Sequence, residues 1–384
     1  MPWPSRSRRL RGRLGEVVSA QADSKALHAR AAAFIEAFER HAPMPEAFDA
    51  LAVDLARFQV RHVPGYARLC AARGADPAAM GRAGDAPAVP TDVFKLAAVF
   101  AFDPAQASLT FRTSGTTIGA RGVHAMRHVG TYDRAALASG RAMLASGLPS
   151  PLPVLVIGPS ASEAPDSSLA HMNSAFAGRW GAPAPSAERY FVRHGELDVA
   201  GLRARIAGLD PSVPALVLAT SFALVHLLDG LGGEVMALPA HSRVMQTGGF
   251  KGKAREVDAG ELRRSVARAL CVDERRVVGE YGMTELSSQF WEATAVDPDA
   301  TAGVYVEPPW ARVVPVDPET LRPVREGDVG IARIEDLANV DSVFAVLAQD
   351  RVRRVTGGFE LLGRAPGAAP RGCSISIDEM LGGG

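Results

Sequence analysis

The chain has 384 residues, which is enough for one large domain or for two to three ordinary domains with a sizeable core. Its 42 lysines and arginines balance 42 aspartates and glutamates, so the net charge gives no reason to expect a nucleic-acid partner. Its three cysteines, Cys70, Cys271 and Cys373, have neither the spacing of a metal site nor that of a disulfide framework. Such thiols are typical of the reducing cytoplasm, which is the location that we predict.

The pattern of the first hundred residues predicts helices and offers no candidate catalytic or binding residues. Residues 1–22 carry a basic cluster with no long apolar run behind it, which argues against a signal peptide. We interpret them as a disordered tail or as the product of a start codon placed too early. Residues 23–100 carry apolar side chains at helical spacing, with Leu27, Phe34 and Phe38 as the first examples, and predict two or three helices.

Residues 101–355 predict an α/β core with a mainly parallel sheet. Strand-like runs alternate there with helix-like runs, and the clearest strands are 153–157, 215–218, 243–247 and 275–279. Ligands bind beyond the carboxyl ends of the strands in such sheets, so the segments that follow them are expected to share one crevice. The most apolar segment, 213–228, is too short to span a membrane, and residues 356–384 remain as a short C-terminal segment.

The most distinctive stretch is a loop rich in glycine and hydroxyl side chains. It reads Thr113-Ser114-Gly115-Thr116-Thr117-Ile118-Gly119-Ala120-Arg121-Gly122. Its glycines let the backbone come close to a ligand, its hydroxyls and amides can donate to phosphate oxygens, and Arg121 adds a fixed positive charge. The loop is not a Walker A motif, because no Gly-Lys-Ser/Thr follows Gly115 at the required spacing. On composition alone, a polar turn between a strand and a helix explains it equally well.

A second distinctive segment follows the last predicted strand of the parallel series. It reads Glu280-Tyr281-Gly282-Met283-Thr284-Glu285. An aromatic ring, a bend, a hydroxyl and a carboxylate are the parts that a nucleotide site needs to stack on a base, to donate to a phosphate and to bind magnesium. Taken alone, the segment is better explained by a structural tyrosine and surface glutamates.

Together the two motifs resemble the signatures of the adenylate-forming superfamily. The first matches the phosphate loop Thr-Ser-Gly-Thr-Thr-Gly-x-Pro-Lys-Gly at residues 113–117 and at Gly122, and departs from it at Ile118 and Arg121. Residues 281–285 match the second signature, Tyr-Gly-x-Thr-Glu, without a gap. The resemblance implies an adenylate-forming α/β domain that uses ATP and Mg²⁺.

The resemblance also implies roles for single residues. The residues expected at the nucleotide are Thr113, Ser114, Gly115, Thr116, Thr117, Arg121, Gly248, Gly249, Tyr281, Gly282, Thr284, Glu285, Asp350 and Arg364. Asp350 is expected to bind the ribose hydroxyls, and Arg364 to contact the ribose or a phosphate. Gly248 and Gly249 are expected to lie along the adenine, and Glu285 is the expected Mg²⁺ ligand.

The C-terminal part narrows the resemblance to the LuxE group of acyl-protein synthetases. Ordinary members of the superfamily continue into a mobile C-terminal domain with a catalytic lysine, whereas this sequence has only a short segment there. That segment, residues 247–252 and the run 281–289 all look like LuxE sequences. The resemblance implies that a fatty acid is activated with ATP, that Cys373 takes the acyl group, and that a partner reductase or carrier receives it. Lys251 is the cation that we expect near the α-phosphate, in place of the missing lysine.

Several alternatives stay open from the sequence. Without the resemblance, Cys373 is better explained as a small apolar residue in a final strand, and Lys251 is equally well explained as a surface lysine. If Cys373 is the acyl acceptor, Arg371 or a bound cation is expected to lower the pKa of its thiol. Two rival functions remain, a CoA or carrier-protein ligase resembling phenylacetate–CoA ligase and a non-catalytic nucleotide-binding protein. In the first of these, Cys373 is passive.

Overall fold

The structure is a computed structural model that describes residues 6–113, 120–248, 258–365 and 371–381, with the backbone only for residues 6–18 and 371–372. The helices within these ranges are α1 (Arg6–Glu39), α2 (Phe48–His62), α3 (Pro64–Ala72), α4 (Val93–Leu96), α5 (Gly130–Met143), α6 (Ser168–Trp180), α7 (Val199–Ala207), α8 (Ser221–Leu231), α9 (Ala259–Leu270) and α10 (Arg371–Leu381). The strands are β1 (Val89–Pro90), β2 (Leu109–Arg112), β3 (Val123–Met126), β4 (Val154–Ile157), β5 (Val192–Arg193), β6 (Glu196–Leu197), β7 (Leu216–Thr220), β8 (Arg243–Thr247), β9 (Val277–Tyr281), β10 (Phe290–Glu292), β11 (Val304–Val306), β12 (Ala311–Val316), β13 (Val329–Asp336), β14 (Ala345–Val355) and β15 (Gly358–Arg364).

The N-terminal helices are present where helical spacing predicted them, but the first of them begins earlier than expected. The sequence predicted a disordered tail over residues 1–22, whereas α1 begins at Arg6. Most residues from 6 to 22 are Arg, Leu, Ala, Glu or Gln, which are strong helix formers. Farther along α1, the buried side chains of Leu27, Phe34 and Ile35 attach the helix to the core. None of the described helices has the length and apolar character that a bilayer-spanning helix needs.

One large mixed sheet organises the molecule and confirms the predicted α/β class. Its strand order is β12-β13-β14-β15-β11-β10-β9-β8-β7-β4, with β1 paired to β14. The strands β4, β7, β8 and β9 are mutually parallel, as predicted, but every neighbouring pair from β12 to β9 along this path is antiparallel. The connections explain the change, because parallel neighbours need a long crossover, whereas β14 and β15 are joined by a two-residue turn.

Three packed layers bury the sheet. The parallel half is covered on one face by α5 and α6 and on the other by α7, α8 and α9. Its strands are therefore apolar on both faces, as β4 and β7 show. The antiparallel half packs against α1, α2, α3 and α10. The carboxyl ends of β8 and β9 lie at the boundary between these two halves.

A buried polar segment between β13 and β14, residues 336–342, connects the layers. We call it the 336–342 junction. Its Asp341 accepts hydrogen bonds from Ser24 Oγ at 2.6 Å, from His28 Nε2 at 3.2 Å and from Arg127 Nη2 at 2.8 Å. Burial alone would raise the pKa of Asp341, but the bond from His28, the bond from Ser24 and the charge of Arg127 hold it at about 2. The aspartate therefore joins α1 to the segment after β3.

Replacing Asp341 by alanine is expected to destabilise the protein strongly. The substitution leaves the buried Arg127 guanidinium without its carboxylate, and breaking such a pair costs about 3–5 kcal/mol. Urea unfolding of the wild type and of Asp341→Ala measures this difference. The exposed Asp299 gives a matched control, since Asp299→Ala should stay within about 0.5 kcal/mol of the wild type. A loss below about 1 kcal/mol in Asp341→Ala would contradict the role of the junction.

Candidate active site

The candidate site lies where β8 and β9 end side by side. Thr247 and Glu280 are cross-strand partners in this parallel pair. The chain turns after β8 at Gly248, whose φ of +72° favours glycine. The Tyr-Gly-Met-Thr-Glu segment begins with Tyr281, the last residue of β9, at the same edge of the sheet. The sequence placed the glycine turn and this segment after two strands, and the structure brings those strand ends together.

The base of the predicted phosphate loop is closed by hydrogen bonds between its two ends. The amide of Thr113 donates to Gly122 O at 3.0 Å, and the amide of Gly122 donates to Thr113 Oγ1 at 2.8 Å. A Cβ atom on Gly122 would lie 2.9 Å from Thr113 Cγ2, so a side chain at this position would force Thr113 to shift. The residues between them that were assigned to the nucleotide lie outside the described residues; they are Ser114, Gly115, Thr116 and Thr117.

Arg121 braces this loop in the structure. Its guanidinium donates to Thr113 O at 2.6 Å, to Arg112 O at 3.2 Å and to the carboxylate of Asp166 at 2.6 Å. The side chain is therefore engaged within the protein itself. Its predicted contact with a phosphate stays a prediction.

The segment after β9 is held from two sides. The buried ring of His124, on β3, donates from Nδ1 to Thr284 O at 2.8 Å, which ties the predicted phosphate loop's hairpin to this segment. Burial lowers the pKa of His124 to about 4, although the bond to the Thr284 carbonyl acts in the opposite direction. From the other side, Asn339 Nδ2 donates to Glu285 O at 2.9 Å. The carboxylate-bearing Glu285 is buried at this position.

Tyr281 fixes the predicted ribose-binding aspartate. Its hydroxyl donates to Asp350 Oδ2 at 2.9 Å. Its ring lies within about 6 Å of the rings of Phe290, Tyr305 and Phe359, measured between centroids. Burial and the neighbouring charge of Asp350 raise the pKa of Tyr281 well above its ordinary value, so the hydroxyl stays a donor. The exposed Arg364 is the cross-strand partner of Asp350, which brings both predicted ribose residues together.

Cys373 is placed differently from the expectation. It lies in the helix α10, not in a final strand or an open tail, and its side chain is buried against α3 and β1. Cys373, Ile377 and Met380 recur at helical spacing, and this apolar stripe is the reason that the segment folds as a packed helix. Burial, with a smaller effect from the charge of Asp92, raises the pKa of the Cys373 thiol to about 11. The expectation that Arg371 or a bound cation lowers the thiol pKa stays a prediction, because the Arg371 side chain lies outside the described residues.

Cys373 is connected to the site through Asp92 and Gln349. Asp92, which affects the Cys373 thiol, accepts a hydrogen bond from Gln349 Nε2 at 2.8 Å. Gln349 precedes Asp350, and successive side chains of a strand point to opposite faces. The described contacts thus lead from the thiol to the residue beside Asp350, while the thiol itself is buried against α3 and β1.

Two of the assigned residues, Gly249 and Lys251, lie outside the described residues, and their roles stay predictions. Among the residues that the structure describes, no group of three or more His, Cys, Asp or Glu side chains is arranged to hold a metal ion. A magnesium ion that arrives with a nucleotide needs only one or two protein carboxylates beside the phosphates, and the single Glu285 fits that requirement.

Sequence reasoning left out several residues that shape this site. His124 was assigned no role beyond structure, and Thr247 and Asn339 were assigned none. Glu280 was noted only as the residue before the Tyr-Gly motif. One signal was available, because Thr247 and Glu280 each stand directly before a distinctive segment at the end of a predicted parallel strand. No comparable signal pointed to Asn339, since it acts from a loop 54 residues away from Glu285.

The fold is that of adenylate-forming enzymes. The family model of the acyl-protein synthetase LuxE matches residues 16–382, and the chain belongs to this family. A search of curated proteins returned no match.

Solved structures of 2-hydroxyisobutyryl-CoA ligase share the fold. An open conformation of 2-hydroxyisobutyryl-CoA ligase, in complex with 2-HIB-AMP and CoA, is 14% identical with a TM-score of 0.58 and covers 82% of this chain and 74% of that chain. The same ligase in the postadenylation state with 2-HIB-AMP is 15% identical with a TM-score of 0.58, and covers 82% and 67%. ATP-bound MatB from Rhodopseudomonas palustris is 14% identical with a TM-score of 0.48, and covers 69% and 49%. The chain thus spans about half the length of MatB.

The buried His124 is expected to make the protein less stable as the pH falls from 6.5 to 4. In that range the unfolded histidine binds a proton while the folded one, with a pKa of about 4, does not. The loss is at most about 3 kcal/mol. His124→Asn keeps a donor near the Nδ1 position and should lose this slope in urea unfolding measured across the range. Substituting the exposed His194 by asparagine is the matched control, and an equal slope in both variants would rule out the effect.

Proposed function

We propose that the protein adenylates a carboxylic acid of the fatty-acid class with ATP, transfers the acyl group to Cys373 and passes it to a partner reductase or carrier. The observation that carries the proposal is the convergence of contacts beyond β8 and β9. Tyr281 holds Asp350 there, and His124 holds the Thr284 segment against the hairpin of the predicted phosphate loop. Membership of the LuxE family supports the same activity.

The described residues suit the proposed nucleotide. Asp350 and Arg364 would contact the ribose, and Glu285 would bind the Mg²⁺ ion that accompanies the phosphates. Gly248 leaves room for a flat base, since a Cβ atom placed there would have no neighbour within 4 Å. Bound Mg²⁺ would spread the negative charge that develops on pyrophosphate.

The proposed reaction has two covalent steps. A carboxylate oxygen of the acid attacks the α-phosphorus of ATP, the bond to the bridging oxygen of the β-phosphate breaks, and pyrophosphate leaves. The product is a mixed anhydride, and the Cys373 thiolate attacks its carbonyl carbon to form a thioester and release AMP. The thiol must lose its proton first, because the thiolate is the nucleophile. The thioester then keeps the carbonyl reactive for the partner.

The docked position of Cys373 requires that α10 leaves its place before the second step. The helix is held by Arg73, which donates from Nε to Glu379 Oε2 at 2.6 Å and from Nη2 to Ser376 Oγ at 2.9 Å. Arg68 Nε adds a bond of 2.9 Å to Met380 O. We propose that release of these contacts exposes the thiol to water and restores its ordinary acidity, so that the docked helix is the resting form.

A second candidate function is favoured by the buried position of the thiol. If α10 stays docked, Cys373 with its raised pKa cannot attack an acyl adenylate. CoA or a carrier protein would then be the acyl acceptor, and Cys373 would serve packing only. The two candidates share the adenylation step and differ in the group that accepts the acyl chain.

ATP–pyrophosphate exchange with a panel of acids, from acetate to palmitate and several aryl acids, tests the shared step. We expect exchange in the wild type and in Cys373→Ala, because the thiol takes no part in adenylation. Mass spectrometry without CoA should find a hydroxylamine-sensitive acyl group on the wild type and none on Cys373→Ala. The exposed Cys271 supplies the control variant Cys271→Ser, which should be acylated like the wild type.

The outcomes separate the candidates. Exchange in both proteins without any acylation of the wild type favours the CoA or carrier-protein ligase. Absence of exchange with every acid would contradict adenylation of these acids altogether.

Loosening α10 is expected to speed the labelling of Cys373 by iodoacetamide. Arg73→Ala removes a half-exposed ion pair and a hydrogen bond, which together contribute about 1 kcal/mol and correspond to a roughly fivefold rate increase. Peptide mass spectrometry measures the rate at Cys373, with Cys271 in the same sample as the internal reference. Arg82→Ala breaks an exposed ion pair elsewhere and should change nothing. Equal rates in the two variants would show that Arg73 does not hold the helix.

A further inference from the structure

A single carboxyl group joins the ends of β8 and β9. The side chain of Glu280, on β9, accepts a hydrogen bond through Oε2 from the hydroxyl of Thr247, on β8. Each of the two residues is 5% exposed. The glycine turn follows β8, and the Tyr-Gly segment begins at the last residue of β9. This bond therefore fixes the distance between the starting points of the two segments.

The second oxygen of Glu280 lies beneath the turn after β9. A Cβ atom on Gly282 would come within 2.5 Å of Glu280 Oε1 and 3.5 Å of Gln289 Cγ. The backbone at Gly282 therefore lies directly against the carboxyl group. A side chain at residue 282 would displace Glu280, and loss of the carboxyl would leave a gap under the turn.

The surroundings of Glu280 favour its neutral form. Burial raises its pKa to about 7, and the bond from Thr247 acts in the opposite direction. Two tyrosines from other elements, Tyr132 on α5 and Tyr305 on β11, also face it. Burial raises the pKa of both phenols, with an added effect of the Glu280 charge on Tyr132 and of the Glu292 and then the Glu280 charge on Tyr305, so they remain neutral neighbours.

The charge of Glu280 affects the binding of anionic ligands at the ends of β8 and β9. The proposed function brings two anions, a triphosphate and a carboxylate, to the ends of β8 and β9. A charged carboxylate in a buried position there would repel both, and the repulsion is strong because little water screens it. The protonated form avoids this repulsion while it keeps the bond to Thr247.

We propose that Glu280 is a positioning residue that acts in its protonated form, holding the ends of β8 and β9 together and setting the upper pH limit for the binding of anionic substrates. This inference rests on the proposed function for its substrates. It requires that loss of the Glu280 proton weakens binding. It also requires that the Thr247 hydroxyl, which favours the ionised form, tunes the pH at which this happens.

The first test needs no substrate. A carboxyl whose pKa rises from 4.5 to about 7 on folding stabilises the protein below pH 4.5, and this contribution is lost as the pH rises to 7. The unfolding free energy of the wild type should therefore fall over this range relative to that of Glu280→Gln. The exposed Glu319 gives the matched control, because Glu319→Gln should keep the wild-type slope. Parallel curves for the wild type and Glu280→Gln would overturn the proposal.

The second test follows kcat/KM for the acid in ATP–pyrophosphate exchange from about pH 5.5 to 9. In the wild type and in Glu319→Gln the value should fall about tenfold per pH unit above the Glu280 pKa. Glu280→Gln should lose this alkaline decline. Thr247→Val, which removes the donor, should move the decline to higher pH, and Thr247→Ser should leave it in place.

These variants separate a positioning role from a merely structural one. A structural role would lower activity in Thr247→Val at all pH values without moving the decline, and that result would overturn the proposal. An alkaline decline that persists in Glu280→Gln would also overturn it. If the wild type shows no exchange at any pH, adenylation itself is contradicted, and the stability curves still decide whether Glu280 is protonated.

Discussion

The arrangement of the site depends on the buried carboxylate of Asp336, at the end of β13. It accepts hydrogen bonds from the amide of Ser287 at 2.8 Å, from Ser288 Oγ at 2.7 Å and from the amide of Ala338 at 2.9 Å. Burial raises the pKa of Asp336 to about 6, although these bonds favour its charged form. The segment after Glu285 thus takes its path from a group in another part of the sheet. Breaking these bonds would leave several buried polar groups unpaired at once, and each unpaired group is costly.

The same junction links the helical layer to the site. Gln59, on α2, donates to the carbonyl of Asn339 at 2.8 Å, while Asn339 itself reaches Glu285 O and accepts from Ser287 Oγ. A helix, the junction and the segment after β9 therefore form one connected polar network in the core. Such networks are stable only when their members are satisfied, and they hold their groups in one geometry. Precise placement of Glu285 follows from this rigidity.

Local patterns in the sequence were enough to locate the strands of the parallel half and the segments that follow them. Alternation of strand and helix signals placed the end of β8 at residue 247, where the structure has it, and the end of β9 at residue 279, two residues before its observed end at Tyr281. The contact between Tyr281 and Asp350 was not predictable in the same way, since it joins residues 69 positions apart across an antiparallel part of the sheet. The ion pair between Arg121 and Asp166 was not predictable either, because its residues are 45 positions apart in the sequence. Pairs of this kind become visible only once the three-dimensional arrangement of the chain is known.

The C-terminal segment carries two patterns of apolar residues, one typical of a strand and one typical of a helix. Cys373, Ile375 and Ile377 alternate with serines, which is typical of a strand, whereas Cys373, Ile377 and Met380 share a helical face. Packing against α3 and β1 decides for the helix, because it buries the helical stripe and leaves Ile375 40% exposed.

Burial raises the pKa of both groups on which the proposals depend, the Glu280 carboxyl and the Cys373 thiol. The two groups differ in the movement that would expose them to water. Glu280 is part of a central strand, so it cannot reach water unless the ladder between β8 and β9 opens. Cys373 lies on α10, which contributes no strand to the sheet and is held by side-chain contacts and packing. On the proposed function, the carboxyl is thus a fixed feature of the crevice, whereas the thiol gains its reactivity by a movement that leaves the sheet intact.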